Sequence, residues 1–426
     1  MRAKWDAAQR NLFLIRALTC LMFLMFAMTS DAVGSIIPKV IGEFHLDMKA
    51  ASAFQYAPMA AMAVGALLLG FLADRIGRQV TIVLGLALYG ASSAAFAAGH
   101  SFEEFLALLA LSGLGVSIFK TGALALIGDI STSTAQHTSI MNLAEGSFGV
   151  GSIIGPAIVA GLLGAHLSWK WLYVIAAGIC AVLIVLALAA SYPPHRAAAE
   201  APAGLADALS LLRDRYAVVF ACLISLYVAV EVAIYVWMPT YLRIYRGPLL
   251  RFVPFALTTF FVLRAAGRFA GAWLLARMSW SVALAVLSFG ILACFAGSLA
   301  GGARAGLVLL PLSGLFMSVI YPTINSKGIS CFPKSEHGRI AGLLLFFTAL
   351  AAALGPFAMG ALSDAYGSAR SGFVLAAAFA LLLFVGLLAN ALTGSAERRL
   401  GDLERAEYAT SQAGTSGVIP APTPGR

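Results

Sequence analysis

Long apolar runs alternate with short polar segments along almost the whole chain. Twelve runs stand out, near residues 12–37, 50–74, 79–98, 103–128, 138–164, 168–191, 215–242, 252–276, 281–300, 305–326, 339–361 and 371–393. Each is long enough to cross a hydrocarbon core of about 30 Å. Backbone groups in hydrocarbon must be satisfied within the segment, so these runs predict helices joined by short turns. Two polar stretches interrupt the rhythm, one from Ser191 to Asp214 and one after Thr393 that holds Pro420, Pro422 and Pro424. The pattern predicts an all-α membrane protein with a six-helix half over 1–191, a linker over 192–214, a second half over 215–393 and a disordered tail over 394–426. The first apolar run is too long for the h-region of a cleaved signal, which spans roughly 7–15 residues.

Composition supports this reading. Of the 426 residues, 61% are hydrophobic and 11% charged, against about 25% charged in soluble proteins. That balance excludes a soluble enzyme, a nucleic-acid-binding domain and a secreted disulfide scaffold. The net charge of +9 sits mainly in the short segments between runs. With both ends on one side of the membrane, the segments on that side carry twice as many Lys and Arg as the opposite segments, which places the ends in the cytosol. Arg243, Arg246 and Arg251 run against this bias. Cys20, Cys180, Cys222, Cys294 and Cys331 are scattered without metal-ligand spacing, and the histidines fall at or near run ends, so no metal or cofactor is expected. No GxxxxGK[ST] loop is present to bind ATP.

The halves echo each other at an offset near 200 residues. Gly155-Pro156 matches Gly355-Pro356, and Asp31 matches Glu231. Two such halves place a binding site at their interface near mid-membrane.

Charged groups inside a bilayer are functional candidates by default, because they cost several kcal/mol unless paired or hydrated. Seven lie well inside: Arg16, Asp31, Lys120, Glu145, Glu231, Arg264 and Arg268. A carboxylate whose surroundings alternate between wet and dry can load and release a proton, which makes Asp31, Glu145 and Glu231 the candidate proton carriers. Lys120 and Glu145 fall at matching depth on consecutive antiparallel helices, which predicts an ion pair or a shared proton and substrate. Arg264 and Arg268 are one turn apart. A central Arg264 with Lys120 opposite can hold a carboxylate or phosphate, or serve as counter-ion to Glu231. Gln55, Asn142, Tyr227, Trp237, Tyr321 and Asn325 are the uncharged polar and aromatic candidates for lining a solute cavity.

Between the second and third runs stands Gly70-Phe71-Leu72-Ala73-Asp74-Arg75-Ile76-Gly77-Arg78. This resembles the loop signature of the major facilitator superfamily, G-x-L-A-D-R-x-G-R. The resemblance implies the twelve-helix fold of two pseudo-symmetric halves and a cytoplasmic gate built from Gly70, Asp74, Arg75, Gly77 and Arg78, to which Asp129 belongs at the end of the fourth helix. A narrower resemblance, to the fucose–proton symporter family, rests on Tyr227 to Glu231 with Trp237, on Gly267-Arg268-Phe269, on Tyr321-Pro322-Thr323-Ile324, and on Ser147 to Gly151 with Gly155-Pro156. It implies a proton-coupled carrier of a hexose or another small polar solute, with Asp31 in the position of the family's first-helix acid. The chain departs from that family in helix 4, where Lys120 follows Gly113-Leu114-Gly115 without an acid, and in helix 5, where Glu145 replaces a common histidine. The expected partners are therefore a small-molecule substrate, protons and the bilayer, with no nucleic acid, in a monomeric inner-membrane protein. An organic-anion carrier, a drug exporter and a nutrient sensor with a transporter fold stay open as alternatives.

Overall fold

A computed structural model describes residues 2–69, 72–130, 134–192, 211–332 and 337–403. Gly70, the side chains of Asp74 and Asn142, most of the linker and the tail beyond Leu403 lie outside the described residues.

Among the described residues, twelve helical passes follow in order. In the first half, α1 runs Arg2–Ser30 and resumes as Val33–Phe44 after a break. α2 is built from Met48–Ala51, Ala53–Leu69 and Leu72–Arg75. α3 is Arg78–Ala95, α4 Phe102–Ile130, α5 Thr134–Gly164 and α6 Trp171–Ala189. In the second half, α7 is Arg215–Val232, continued through a π turn, Ala233–Trp237, into Met238–Leu242. α8 is Ala256–Leu275. α9 and α10 share the segment Trp280–Met317, which reverses at Gly302 (φ 64°) before Ile320–Ser330 closes α10. The reversal is a hairpin, because Gly306 packs on Ser298 and Gly290 on Phe316. A positive φ is open to glycine at little cost. α11 is His337–Ala365 and α12 Ala369–Thr393.

Within the first half α1 packs on α5 and α6, α2 on α4, and α3 on α4 and α6. In the second, α7 packs on α11, α12 and the end of α10. Small residues permit these approaches. A Cβ at Gly151 or Gly155 would strike the α1 carbonyls of Leu24 or Met28, and one at Gly113 would strike Pro58. Aromatic rings fill the loop end of the first half, where Phe96 stacks on Tyr173 at 3.9 Å and Phe105 meets Trp169 edge-on at 5.1 Å.

Residues 394–403 depart from the expected disordered tail. Gly394 ends α12 in the left-handed conformation (φ 58°), and residues 395–403 form a further helix. Polar contacts hold it to the bundle: Ser281 Oγ donates to Glu397 at 2.6 Å and Arg399 pairs with Asp214 at 3.7 Å. Ala396 is buried beneath it.

The two halves meet on the face opposite the chain ends. There the Val33–Phe44 part of α1 touches α7, the start of α2 touches α11, and α5 touches α8. Gly34 brings the α1 backbone against the carbonyl of Tyr235. Asp364, at the end of α11, accepts the backbone N–H of Met48 at 2.9 Å and of Lys49 at 2.6 Å. Arg243 donates to the Pro38 carbonyl of α1 at 2.8 Å, and Arg246 to the Arg243 carbonyl at 2.7 Å. Arg243 and Arg246, which run against the charge bias, therefore act as hydrogen-bond donors to backbone on this face.

Candidate functional site

The site grows out of two irregular helices. α1 breaks at Asp31 and Ala32, which lie in a turn, so the Asp31 carboxylate is set where the regular backbone is interrupted. Asp31 is 8% exposed. Ser30 Oγ donates to its Oδ1 at 3.0 Å, and Ser152 Oγ of α5 donates to its Oδ2 at 2.5 Å. The Ser152 hydroxyl also lies 3.1 Å from the Phe148 carbonyl, so carboxylate and carbonyl compete for one proton. Ser152 was not singled out in the sequence. Its signal is the spacing to Gly151 and Gly155, which turns this face of α5 toward α1.

At the equivalent place in the second half, Glu231 (7% exposed) stands one residue before Val232, where α7 passes into its π turn. π turns inside helices occur often at functional sites. Arg264 Nη2 of α8 lies 2.5 Å from Glu231 Oε1. Of the two roles left open for Arg264, this geometry supplies the counter-ion. The guanidinium has capacity to spare, since its buried Nε finds no acceptor among the described residues. Arg264 and Glu231 are also the Coulombic neighbours of Asp31 across the two halves.

Of the two arrangements expected of Lys120 and Glu145, the structure removes the ion pair. They form no ion pair within 4.0 Å, unlike Arg78–Asp129, Arg264–Glu231 and Arg399–Asp214. Lys120 instead points at α1, with Nζ 5.2 Å from the Phe26 ring centre and 5.6 Å from that of Phe23. Such cation–π contacts stabilise a cation on ring faces. Glu145 is exposed and lies within electrostatic reach of Lys120 and of Arg268 of α8.

The uncharged candidates divide. Tyr227 is fully buried and its hydroxyl donates to the Met317 carbonyl at 2.9 Å, where α10 is interrupted. Trp237 is buried with Nε1 donating to the Pro356 carbonyl at 3.1 Å. Both brace backbone. Tyr321 and Asn325 are half-buried, Tyr321 with its ring 6.1 Å from that of Tyr227. Gln55 is fully buried inside the first half, away from the interface.

In the gate motif, Gly77 takes φ +88°, which explains a glycine before α3. Arg78 Nε pairs with Asp129 Oδ2 at 2.8 Å, tying the start of α3 to the end of α4. Arg75 is exposed.

Comparison with known proteins agrees with this architecture. The chain is 29% identical over 188 residues to the multidrug transporter protein MdtP of Bacillus subtilis, a match that covers 43% of this chain and spans about a third (34%) of that relative. It is 24% identical over 418 residues to the L-fucose-proton symporter of Escherichia coli K12, covering 89% of this chain and 94% of the relative. The crystal structure of a nucleoside transporter, NupG, superposes with a TM-score of 0.73 at 15% identity, covering 88% of this chain and 99% of that one. Residues 19–350 match the Major Facilitator Superfamily. The twelve passes in two halves, the loop motif ahead of α3 and this match together make the chain a multi-pass membrane transporter of the Major Facilitator Superfamily.

Proposed function

We propose that the protein is a proton-coupled secondary transporter that carries one small polar solute, sugar or sugar-like, across the bacterial inner membrane by alternating access. The observation that carries the reading is the placement of Asp31. It is a single carboxylate at a helix break, held by hydroxyls alone and within reach of the Arg264–Glu231 pair of the other half. A carboxylate held by hydroxyls gains or loses a proton without breaking a salt bridge. Motion of the halves changes its distance from Arg264, and with it the free energy of carrying that proton. The similarity to the L-fucose-proton symporter over most of the chain supports both the proton and the sugar.

In this reading both chain ends are cytoplasmic and the protein acts as a monomer. The contacts on the opposite face then close the outer side, and the conformation is open to the cytosol. Glu145 is a second proton carrier, Glu231 with Arg264 sets the field around Asp31, and Tyr321 and Asn325 line the solute path. Gly70, Asp74, Arg75, Gly77, Arg78 and Asp129 make up the cytoplasmic gate.

A second reading has its own support. The unused Nε of Arg264 and a Lys120 held by rings rather than a carboxylate suit an organic anion such as a sugar acid. The two are separated in liposomes loaded with a pH-sensitive dye. Hexoses, deoxyhexoses, sugar acids and small carboxylates are added in turn to the wild type and to Asp31→Asn. A neutral sugar that moves protons, and fails to in the mutant, supports the first reading. A response confined to acids supports the second. Silence across the panel leaves export or sensing as the better account.

A further inference from the structure

The first half holds a small, partly open cavity lined by its own helices. α1, α2, α3, α4 and α6 surround it, and its polar lining is Ser30, Gln55, Ser112 and Tyr173, with Thr29 and Tyr89 bonded to each other at 2.6 Å. Gln55 is fully buried there, and neither its Nε2 nor its Oε1 has a partner among the described residues. The Tyr173 hydroxyl, on the other wall, is likewise unpartnered. Buried polar groups without hydrogen bonds are costly, so an amide and a phenol hydroxyl facing one cavity call for a ligand that both donates and accepts. The cavity volume is about 30 Å³. At roughly 10–15 Å³ for each water centre, that admits two water molecules and no sugar.

Ser30 connects this cavity to the acid. It lines the wall and donates to Asp31 Oδ1 at 3.0 Å. We propose that the cavity is an internal water site that delivers protons to Asp31 through Ser30, by a route separate from the solute path. The inference rests on the proton-coupled reading above. In the transfer, a protonated water held by Gln55 gives its proton to Ser30 Oγ as Ser30 passes its own hydroxyl proton to Asp31 Oδ1. One O–H bond forms and one breaks at Ser30, and the positive charge of the water ends by neutralising the carboxylate. The other groups facing Asp31 are Arg264 of α8, Glu231 and Tyr235 of α7, Lys120 of α4 and Ser152 of α5. None of them lines the cavity.

The test uses the full chain in lipid nanodiscs. X-ray-generated hydroxyl radicals label side chains next to bound water, with isotope-labelled water to follow exchange. Met59 and Met62 line the cavity, whereas Met22 and Met25, fully buried in the same half, do not. Met59 and Met62 are half-buried and Met22 and Met25 fully buried, so the quantity that decides is the change on substitution. Labelling of Met59 and Met62 is expected to fall several-fold in Gln55→Leu while that of Met22 and Met25 is unchanged. Unchanged labelling of Met59 and Met62 in Gln55→Leu overturns the water site. In parallel, pH-difference infrared spectra follow the Asp31 carboxyl band, identified by its loss in Asp31→Asn. Protonation of that band slows several-fold in Gln55→Leu and in Ser30→Ala if the relay operates. Unchanged protonation in both variants overturns the relay. An Asp31 band that never titrates while Met59 and Met62 are labelled overturns the proton-coupled reading instead.

Discussion

Asp364 caps Lys49 across the two halves of the protein. Its Oδ2 accepts the Lys49 backbone N–H at 2.6 Å and its Oδ1 the Met48 N–H at 2.9 Å, although 315 and 316 residues of chain, respectively, separate the partners. The first N–H groups of a helix lack intrahelical partners and carry partial positive charge. Asp47 of the same half caps the Ala50 N–H at 2.6 Å, but the carboxylate that satisfies Met48 and Lys49 comes from the opposite half, so these two N–H groups are satisfied only while this face is closed. Hydrogen bonds to a charged group contribute about 1.5–3 kcal/mol, and 1.36 kcal/mol is a factor of about ten in a population. Asp364→Ala is therefore expected to shift the protein tenfold or more toward the state open on this face. Pulsed electron resonance between spin labels at Lys39 and Arg304 measures the shift as a second, longer distance; an unchanged distribution refutes the capping role.

Arg243 secures the same face through a different contact, its hydrogen bond to the Pro38 carbonyl. It shares no partner with Asp364, so the two contributions should add. Arg243→Ala alone gives a smaller shift than Asp364→Ala, because its acceptor is a neutral carbonyl. The double variant should show the sum of the two shifts in the same distance measurement. A double variant no more open than Asp364→Ala would mean that Arg243 holds only its own loop.

How far the site is legible in the sequence depends on whether a feature is local. Asp31 and Glu231 stand out because each is an acid inside an apolar run and they recur at one offset, and the structure puts both beside helix irregularities at the interface. Lys120 and Glu145 show where depth reasoning stops. Rise per residue fixes the height of a side chain, but the direction it points depends on helix rotation, and rotation carries Lys120 to the rings of Phe23 and Phe26. Asp364 and Ser152 were invisible for another reason. An acid at a helix end and a serine on a small-residue face look ordinary until a partner more than a hundred residues away is brought beside them. Tyr227 and Trp237 fit the symporter pattern, yet their polar atoms go to backbone carbonyls at broken or proline-bearing helices.

The Arg264–Glu231 pair yields a stability prediction. Removing one partner of a buried ion pair leaves the other charge uncompensated, at a cost of about 3–5 kcal/mol, whereas replacing both is often near neutral. Glu231→Ala and Arg264→Leu should each lower the melting temperature in detergent, and the double variant should recover most of the loss. If the double variant is as unstable as the singles combined, the pair is not an isolated unit and the field of Asp31 or Arg268 stabilises each member separately.

Gly34 and Gly155 both let α1 approach another helix, but they predict opposite outcomes. A Cβ at Gly155 would collide with the Met28 carbonyl of α1 inside the first half, a contact that persists in every state of the transport cycle. Gly155→Ala is accordingly expected to destabilise the fold. A Cβ at Gly34 would collide with the Tyr235 carbonyl of α7, and that contact lies between the halves, where alternating access must separate the partners. Gly34→Ala leaves each half intact and obstructs only the closed arrangement on this face. The expected result is a melting temperature close to wild type, loss of transport, and a label distance between Lys39 and Arg304 fixed at its longer value. A Gly34→Ala protein that still closes would show that α1 can slide along α7, and would move the essential contact of this face to Asp364 and Lys49.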